Sequence, residues 1–393
     1  MKILMLAPEP FFQPRGTPIS IYFRLKTLSD LNHKVDLITY HLGENQEFPG
    51  MDILRIPNIL GIKKIKIGPS LTKIPLDFLL FVKAAWRVLT RKYDLIFSHE
   101  EAAFMGILLG KVFGIPHLYD MHSSLPQQLI NFNFTRSKVL VELFKMMERS
   151  VLKNSRSILV ICPDLQRIVA EQGYGYKSIL LENFLDFSSS EISEKNTSPS
   201  RDELAPNGEK IVVYTGNFQT YQGVHLLLEA ASAMKNDPVK FVLVGDTPQG
   251  ITRMKQKAEK LNITDKFHFI GQIPPQRVPI YISLADALVS PRISGTNTPL
   301  KIYSFLKSGK PVVATRLWTH TQVLNDDLSI LVRPDAENLA DGIRRALFSE
   351  EGKNKGKAAK EFASKEYSYI KYREKLGFAL SKSVKQNSQK EAR

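Results

Sequence analysis

Apolar and polar positions along the chain follow two alternating rhythms. KILMLAP (2–8) is a continuous apolar run ended by proline, which predicts a buried strand. ISIYFRLKTLSDLNH (19–33) spaces its apolar residues for a helix, and KVDLITY (34–40) reads as a strand again. The same succession continues. IPLDFLLFVKAAWRVLTRK (74–92) predicts a helix, YDLIFSH (93–99) a strand, EEAAFMGILLGKVFG (100–114) a helix and IPHLYDMH (115–122) a strand. A long helix over 136–155 and the strand RSILVICP (156–163) close this series. Strands alternating with helices predict a parallel, doubly wound α/β sheet.

The rhythm stops at FSSSEISEKNTSPSRDELAPNGEK (187–210), which is Ser-rich and charged with almost no apolar content, the composition of a linker. A second series follows. Strands are expected at KIVVYTG (210–216), VKFVLVGD (239–246), KFHFIGQ (266–272), DALVSP (286–291) and KPVVAT (310–315), each adjoining a helical pattern. The expected organisation is a first Rossmann-like domain over 1–186, a linker over 187–209 and a second Rossmann-like domain over 210–365. A C-terminal helix over 366–382 is expected to pack back toward the first domain, with a frayed tail over 383–393. In such sheets ligands sit beyond the carboxyl ends of strands. That rule directs attention to loops 8–18, 99–101, 122–126, 216–223 and 291–299.

Composition narrows the classes. The chain has 393 residues and is 43% hydrophobic, enough for two cores. Its single cysteine, Cys162, leaves no disulfide framework and no cysteine metal site, and fits a reducing compartment. Pro8 and Pro10 interrupt the opening apolar run and no small-residue cleavage pattern follows, so no signal peptide is expected. No apolar run is long enough to predict a membrane span. The net charge of +15 points to anionic partners. Part of it is local: residues 62–92 carry Lys63, Lys64, Lys66, Lys73, Lys83, Arg87, Arg91 and Lys92 against Asp77 alone. On the helix there, residues 79, 82, 86 and 89 share one apolar face, which packing on the domain's own sheet would explain. The basic cluster is not explained that way. At about 1 kcal/mol per Lys or Arg near an anionic bilayer, it predicts peripheral membrane binding. No nucleic-acid-binding motif accompanies the charge, so no nucleic-acid partner is expected.

Candidate chemistry gathers at strand ends. In SPRISGTNTPLKIYSFLKSGKPVVAT (290–315), the run Gly295, Thr296, Asn297, Thr298 lies between a strand and a helix. Thr298 is expected to cap that helix, Pro299 to occupy its first turn and Gly309 to end it. Amides at a helix start form a seat for phosphate, and Arg292 and Lys301 flank it. YTGNFQTYQGVHLLLEA (214–230) repeats the arrangement with Gly216 and Gly223, and two such loops in one domain favour a diphosphate site. A third, PEPFFQPRGTPISIY (8–22), offers Gly16 for close backbone approach and Arg15 beside it. His99, followed by Glu100, and His122 both end apolar strands, so site roles suit them. His99-Glu100-Glu101 is not a zinc motif, because no second histidine follows on the same helix face.

These pieces resemble the GT-B glycosyltransferases, specifically glycosyltransferase family 4. The resemblance rests on KILMLAP…RGTPIS, DLIFSHEEAAFMGILLGKVFGIPHLYDMHSS, VVYTGNFQTYQGVHLLLEA, FVLVGD, FHFIGQIP, YISLADALVSPR and PLKIYSFLKSGKPVVAT. It implies two Rossmann-like domains facing each other across a cleft, a nucleoside-diphosphate-sugar donor bound by the second and an acceptor by the first. It implies retention of configuration, no obligatory metal and no cofactor. It places His122 over the donor sugar, Gly16 at the donor phosphate, and Gly216 and Gly271 near diphosphate and base. Arg15, His99 and Glu100 are expected on the acceptor side. The chain also departs from the family. Where members carry two glutamates separated by seven residues, it has Thr296 and Ser304, and where they carry Arg and Lys it has Asn217 and Gln222.

The expected function is transfer of a sugar to a glycan or lipid-linked acceptor, in cell-surface polysaccharide or glycolipid assembly. The expected place is the cytoplasm, peripheral to the inner face of the membrane. Alternatives are a non-catalytic or weakly active binding relative, suggested by the missing glutamates, and a sugar-nucleotide epimerase, which shares the architecture.

Overall fold

The computed structural model describes residues 1–13, 16–59, 61–65, 70–127, 137–184 and 199–384. The chain divides into two compact units: Met1–Asn183 with the C-terminal segment from Tyr369, and Phe184–Ser368.

The first unit has a seven-stranded parallel sheet. Its strands are β1 (Lys2–Ala7), β2 (Lys34–Thr39), β3 (Met51–Arg55), β4 (Leu95–His99), β5 (His117–Met121), β6 (Ser157–Val160) and β7 (Ser178–Leu180). They run in the order β3-β2-β1-β4-β5-β6-β7. The order reverses between β1 and β4, which opens the sheet's carboxyl edge there. Helices α1 (Gly16–Asp30), α2 (Lys73–Thr90), α3 (Ala102–Phe113), α4 (Lys138–Asn154) and α5 (Pro163–Glu171) connect the strands. Because helices cover the sheet, β1, β4 and β5 are buried along nearly their whole length and read as unbroken apolar runs.

The second unit has six parallel strands in the order β10-β9-β8-β11-β12-β13. These are β8 (Lys210–Thr215), β9 (Val239–Val244), β10 (Phe267–Ile270), β11 (Ala287–Ser290), β12 (Val312–Thr315) and β13 (Ile330–Val332). Its helices are α6 (Arg201–Leu204), α7 (Val224–Ala233), α8 (Pro248–Lys260), α9 (Val278–Leu284), α10 (Lys301–Ser308), α11 (Trp318–Thr321), α12 (Ala336–Phe348) and α13 (Glu350–Glu366). Here the order reverses between β8 and β11. The final helix, α14 (Tyr369–Val384), packs against β5, β6 and β7 of the first unit.

Three features differ from the sequence reading. Strands β3, β7 and β13 were not expected; at five residues or fewer, at or near a sheet edge, they carry almost no periodicity. Residues 199–209 are not plain linker. Ser200 and Glu203 form a capping box around α6, Leu204 and Ala205 are buried in the second unit's core, and Arg201 pairs with Asp286 at 2.6 Å. One capping box and one leucine suffice to anchor a segment of otherwise linker-like composition. The rest of the expected linker, up to residue 198, lies outside the described residues. Finally, α2 is apolar on two sides. Leu76, Leu80, Ala84 and Val88 pack on the sheet, whereas Val82, Trp86 and Leu89 of the stripe read from sequence face outward.

Candidate functional site

In the second unit, two loops meet at the strand-order reversal. Gly216, after β8, and Gly223, before α7, both have positive φ, at 130° and 71°. Gly223 also lies against the neighbouring loop: a Cβ there would stand 1.8 Å from the Pro291 carbonyl oxygen. Gly223→Ala is therefore expected to destabilise this unit by about 1–3 kcal/mol, which chemical denaturation would measure. The loops are tied directly. The Ile293 amide donates to the Tyr221 carbonyl at 3.0 Å, and Arg292 Nε donates to Gln222 Oε1 at 3.3 Å.

Arg292 also donates to the Asn297 carbonyl (3.0 Å) and Thr319 Oγ1 (2.9 Å), and its guanidinium lies 5.4 Å from the Tyr221 ring centre. Lys301, the first residue of α10, places Nζ 3.8 Å from the centre of the Tyr214 ring. The side chain as a whole is half-buried, but Nζ itself is shielded from solvent and has no hydrogen-bond partner among the described residues. Neither cation forms an ion pair with a carboxylate among the described residues. Burial, and then the charge of Arg292, push the Lys301 ammonium well below its ordinary pKa. Burial likewise lowers Arg292, against smaller opposing contributions from Tyr221 and Tyr214. Two shielded cations without a counter-charge are costly unless an anion completes them.

The expected cap is not there. Leu300, not Thr298, precedes α10, and the Thr298 hydroxyl is buried without a partner among the described residues. The Ile302 amide turns back to the Pro299 carbonyl at 3.0 Å, so Pro299 and Leu300 form a leading turn that moves the helix start. Thr296 and Asn297 are held through their carbonyls by Gln322 and Thr319. Gly295 has φ 124°. Ser304 lies one turn beyond Lys301 on the same, less buried side of α10. Asn217 accepts from the Tyr214 hydroxyl through its carbonyl (2.6 Å). Gly271 follows β10 at the same sheet edge, with no described contact to the two loops. His320 is a buried scaffold residue. Its Nδ1 donates to the Thr315 carbonyl (2.8 Å), it pairs with Ser290, and burial pushes it down to about 3.

In the first unit, the ends of β4 and β5 bring His99 and His122 together around Asp120. Asp120 Oδ2 lies 3.3 Å from His99 Nδ1, 3.2 Å from His122 Nε2 and 2.9 Å from Arg24 Nε. Arg24 further bonds the Tyr372 hydroxyl of α14. All of these side chains are buried. Burial alone would raise the Asp120 carboxyl, but Arg24, then His122 and His99, outweigh it and hold the group well below the usual carboxylate range. Burial holds His99 near 3, so it is neutral. Asp120 therefore fixes which ring nitrogen of each histidine carries the proton. Glu100, in the left-handed region at φ 46°, accepts from Ser123 Oγ (2.6 Å), and burial raises it to about 7. Gly16 begins α1 and is exposed, and Arg15 lies outside the described residues.

His99, Asp120 and His122 offer three ligand atoms within 4.8 Å of one another. Asp120, however, already carries the Arg24 guanidinium, whose charge opposes a second cation. Sequence reasoning missed Arg24, Asp120 and Tyr372. The available signal was an Asp inside the apolar strand HLYDM and an Arg inside the apolar helix pattern ISIYFRL.

Two parallel Rossmann-like sheets, each reversing strand order beneath its candidate site, are the architecture of GT-B glycosyltransferases. Solved structures agree. Anabaena Alr3699/HepE in complex with UDP superposes with a TM-score of 0.73 at 17% identity, over 97% of this chain and 100% of that one. WaaG, a glycosyltransferase involved in lipopolysaccharide biosynthesis, gives 0.69 at 13%, over 96% and 99%. The family model for Glycosyltransferase Family 4 matches residues 15–187, and that for Glycosyl transferases group 1 matches 196–365. The chain belongs to glycosyltransferase family 4. Among curated relatives, alpha-monoglucosyldiacylglycerol synthase of Streptococcus pneumoniae is 24% identical over 89% of this chain and 79% of that protein. Sulfoquinovosyl transferase SQD2 of Arabidopsis thaliana is 22% identical over 92% and 70%.

Proposed function

We propose that this glycosyltransferase moves a sugar from a nucleoside diphosphate to a lipid-linked or glycan acceptor, with retention and without a metal. It would work at the inner face of a membrane, in glycolipid or cell-surface polysaccharide assembly. The observation that carries the donor reading is the pair Arg292 and Lys301, two shielded cations with no carboxylate partner among the described residues, at the end of β11 and the start of α10. A diphosphate supplies the missing charge. As the glycosidic bond breaks, negative charge grows on the leaving phosphate oxygens, and these cations stabilise it in place of a metal. Thr298, whose hydroxyl has no partner among the described residues, adds a donor. UDP and UDP-glucose in the HepE structures support a nucleotide-sugar donor. The glycolipid-synthesising relatives, a phosphatidylinositol N-acetylglucosaminyltransferase subunit among them, support a lipid-linked acceptor.

In the first unit, Asp120 orients His122, which positions the donor sugar, while the acceptor hydroxyl passes its proton to the leaving phosphate. His122→Ala is expected to lower turnover by about 100-fold while nucleoside diphosphate affinity stays the same. Equal losses in both would make the histidine structural. The overall test is a donor screen that follows released nucleoside diphosphate in the presence of lipid extracts. The neutral residues Thr296, Ser304, Asn217 and Gln222 favour a second reading, a binding protein without turnover. Tight donor binding with no release of diphosphate under any acceptor would establish that instead.

A further inference from the structure

We propose that the outer face of α2, α3 and α4 is an apolar platform that enters the interfacial layer of an anionic bilayer, holding the chain by insertion first and by charge second. The proposal rests on the membrane reading above and not on the transfer reaction.

The central observation is a helix that is apolar on its outside. Ile74, Phe78, Val82, Trp86 and Leu89 of α2 are 62%, 65%, 49%, 65% and 67% exposed. At 100° per residue they fall within one third of the helix circumference, opposite the row that packs on the sheet. The core therefore does not need them. The neighbouring helices continue the surface. Helix α3 touches α2 and exposes Leu108 and Val112. Helix α4 touches α3 and exposes Val139, Leu143 and Met146. Ten exposed large apolar side chains on three helices that touch in turn are more than the scattered exposure normal for a protein surface.

The charge around it selects the occupant. Lys63 and Lys64 precede α2, Arg91 and Lys92 follow it, and Arg149 and Lys153 lie beside the apolar row of α4, all of them exposed. A second copy of this chain would bring these like charges face to face. An anionic lipid surface complements them, and Trp86 is the side chain suited to a membrane–water boundary. The same geometry demotes part of the basic cluster read from sequence. Lys73 pairs with Glu101, Arg87 with Asp36, and Lys83 donates to the Arg55 carbonyl, so these three serve the fold. Lys66 lies outside the described residues. Binding carried by apolar insertion survives salt better than binding carried by charge.

The experiment is vesicle sedimentation of the full chain, with phosphatidylglycerol–phosphatidylcholine and pure phosphatidylcholine vesicles, at low and high salt. The double variant Phe78→Glu, Trp86→Glu is compared with Lys63→Glu, Lys64→Glu. The expected result is binding to the anionic vesicles that is only partly lost at high salt. Partitioning is expected to fall about 10-fold or more in the apolar double variant, and less in the lysine variant. In a Trp318→Phe background, Trp86 emission is expected to shift to the blue on binding and to be quenched by brominated lipid. Failure of the wild type to sediment, or sedimentation unchanged by Phe78→Glu, Trp86→Glu, would overturn the proposal. So would a dimer in gel filtration that the double variant dissociates without any lipid binding, since the surface would then face a second copy. Nucleoside diphosphate titration of the same samples reads the donor site separately, so the two accounts can fail independently.

Discussion

Arg24→Met is expected to destabilise the first unit by about 3–5 kcal/mol, the cost of removing one partner from a buried ion pair. Methionine fills much of the same volume, so the loss is one of charge and hydrogen bonds, not of packing. Arg24 is fully buried and is the principal counter-charge of Asp120, which would remain in the core with only two histidines beside it. The pH dependence follows from the sign of the shift. In the native protein the carboxyl is held below its ordinary value, so its stabilising contribution is present at neutral pH and is lost only in strong acid. Without Arg24, burial dominates and the carboxyl moves up, so the variant's deficit is expected to shrink as pH falls from neutral toward the ordinary carboxylate range. Urea unfolding of the first unit at several pH values would show this. A deficit independent of pH would mean that Arg24 contributes packing alone. The same change removes the bond to Tyr372 of α14 and the guanidinium that keeps Asp120 charged beside His122, so turnover is expected to fall in the fraction that remains folded.

Lys301→Ala is expected to weaken nucleoside diphosphate binding by about 1.5–3 kcal/mol, the range for a hydrogen bond to a charged group. Thermal stability is expected to stay level or to rise, because the ammonium is shielded and pushed toward its neutral form by burial and by Arg292. That opposition between binding and stability separates a ligand-binding lysine from a structural one, whose loss would lower both. A bound diphosphate restores the counter-charge and draws the lysine back to its protonated state. At pH values above its depressed pKa, binding is therefore expected to take up a proton. Titration in two buffers of different ionisation enthalpy would detect the uptake, and Lys301→Ala is expected to abolish it.

The two loops proposed to bind the donor were legible in the sequence as loops because their parts are local. A strand, a small polar loop and a helix start lie within a dozen residues, at 290–301 and again at 214–224. The error there concerned Thr298. A proline at 299 suits a first helical turn, but the Pro299–Leu300 turn displaced the start of α10 by two residues. The Arg24–Asp120–Tyr372 network was not legible, because its partners are separated by 96 and 348 residues and only the folded sheet with α14 brings them together. Helix α2 shows the limit of periodicity. Its pattern contains two apolar rows, and nothing local says which one the sheet will take. Packing chose Leu76, Leu80, Ala84 and Val88, and left Phe78 and Trp86 outside.

The central claim is that Arg292 and Lys301 hold the diphosphate of a nucleotide-sugar donor. Calorimetric titration of the full chain with UDP, ADP and GDP tests it most directly, with Lys301→Ala as the comparison. Saturable binding of at least one of the three is expected, clearly weakened in the variant. Absence of binding by all three, or equal binding by the wild type and Lys301→Ala, would contradict it.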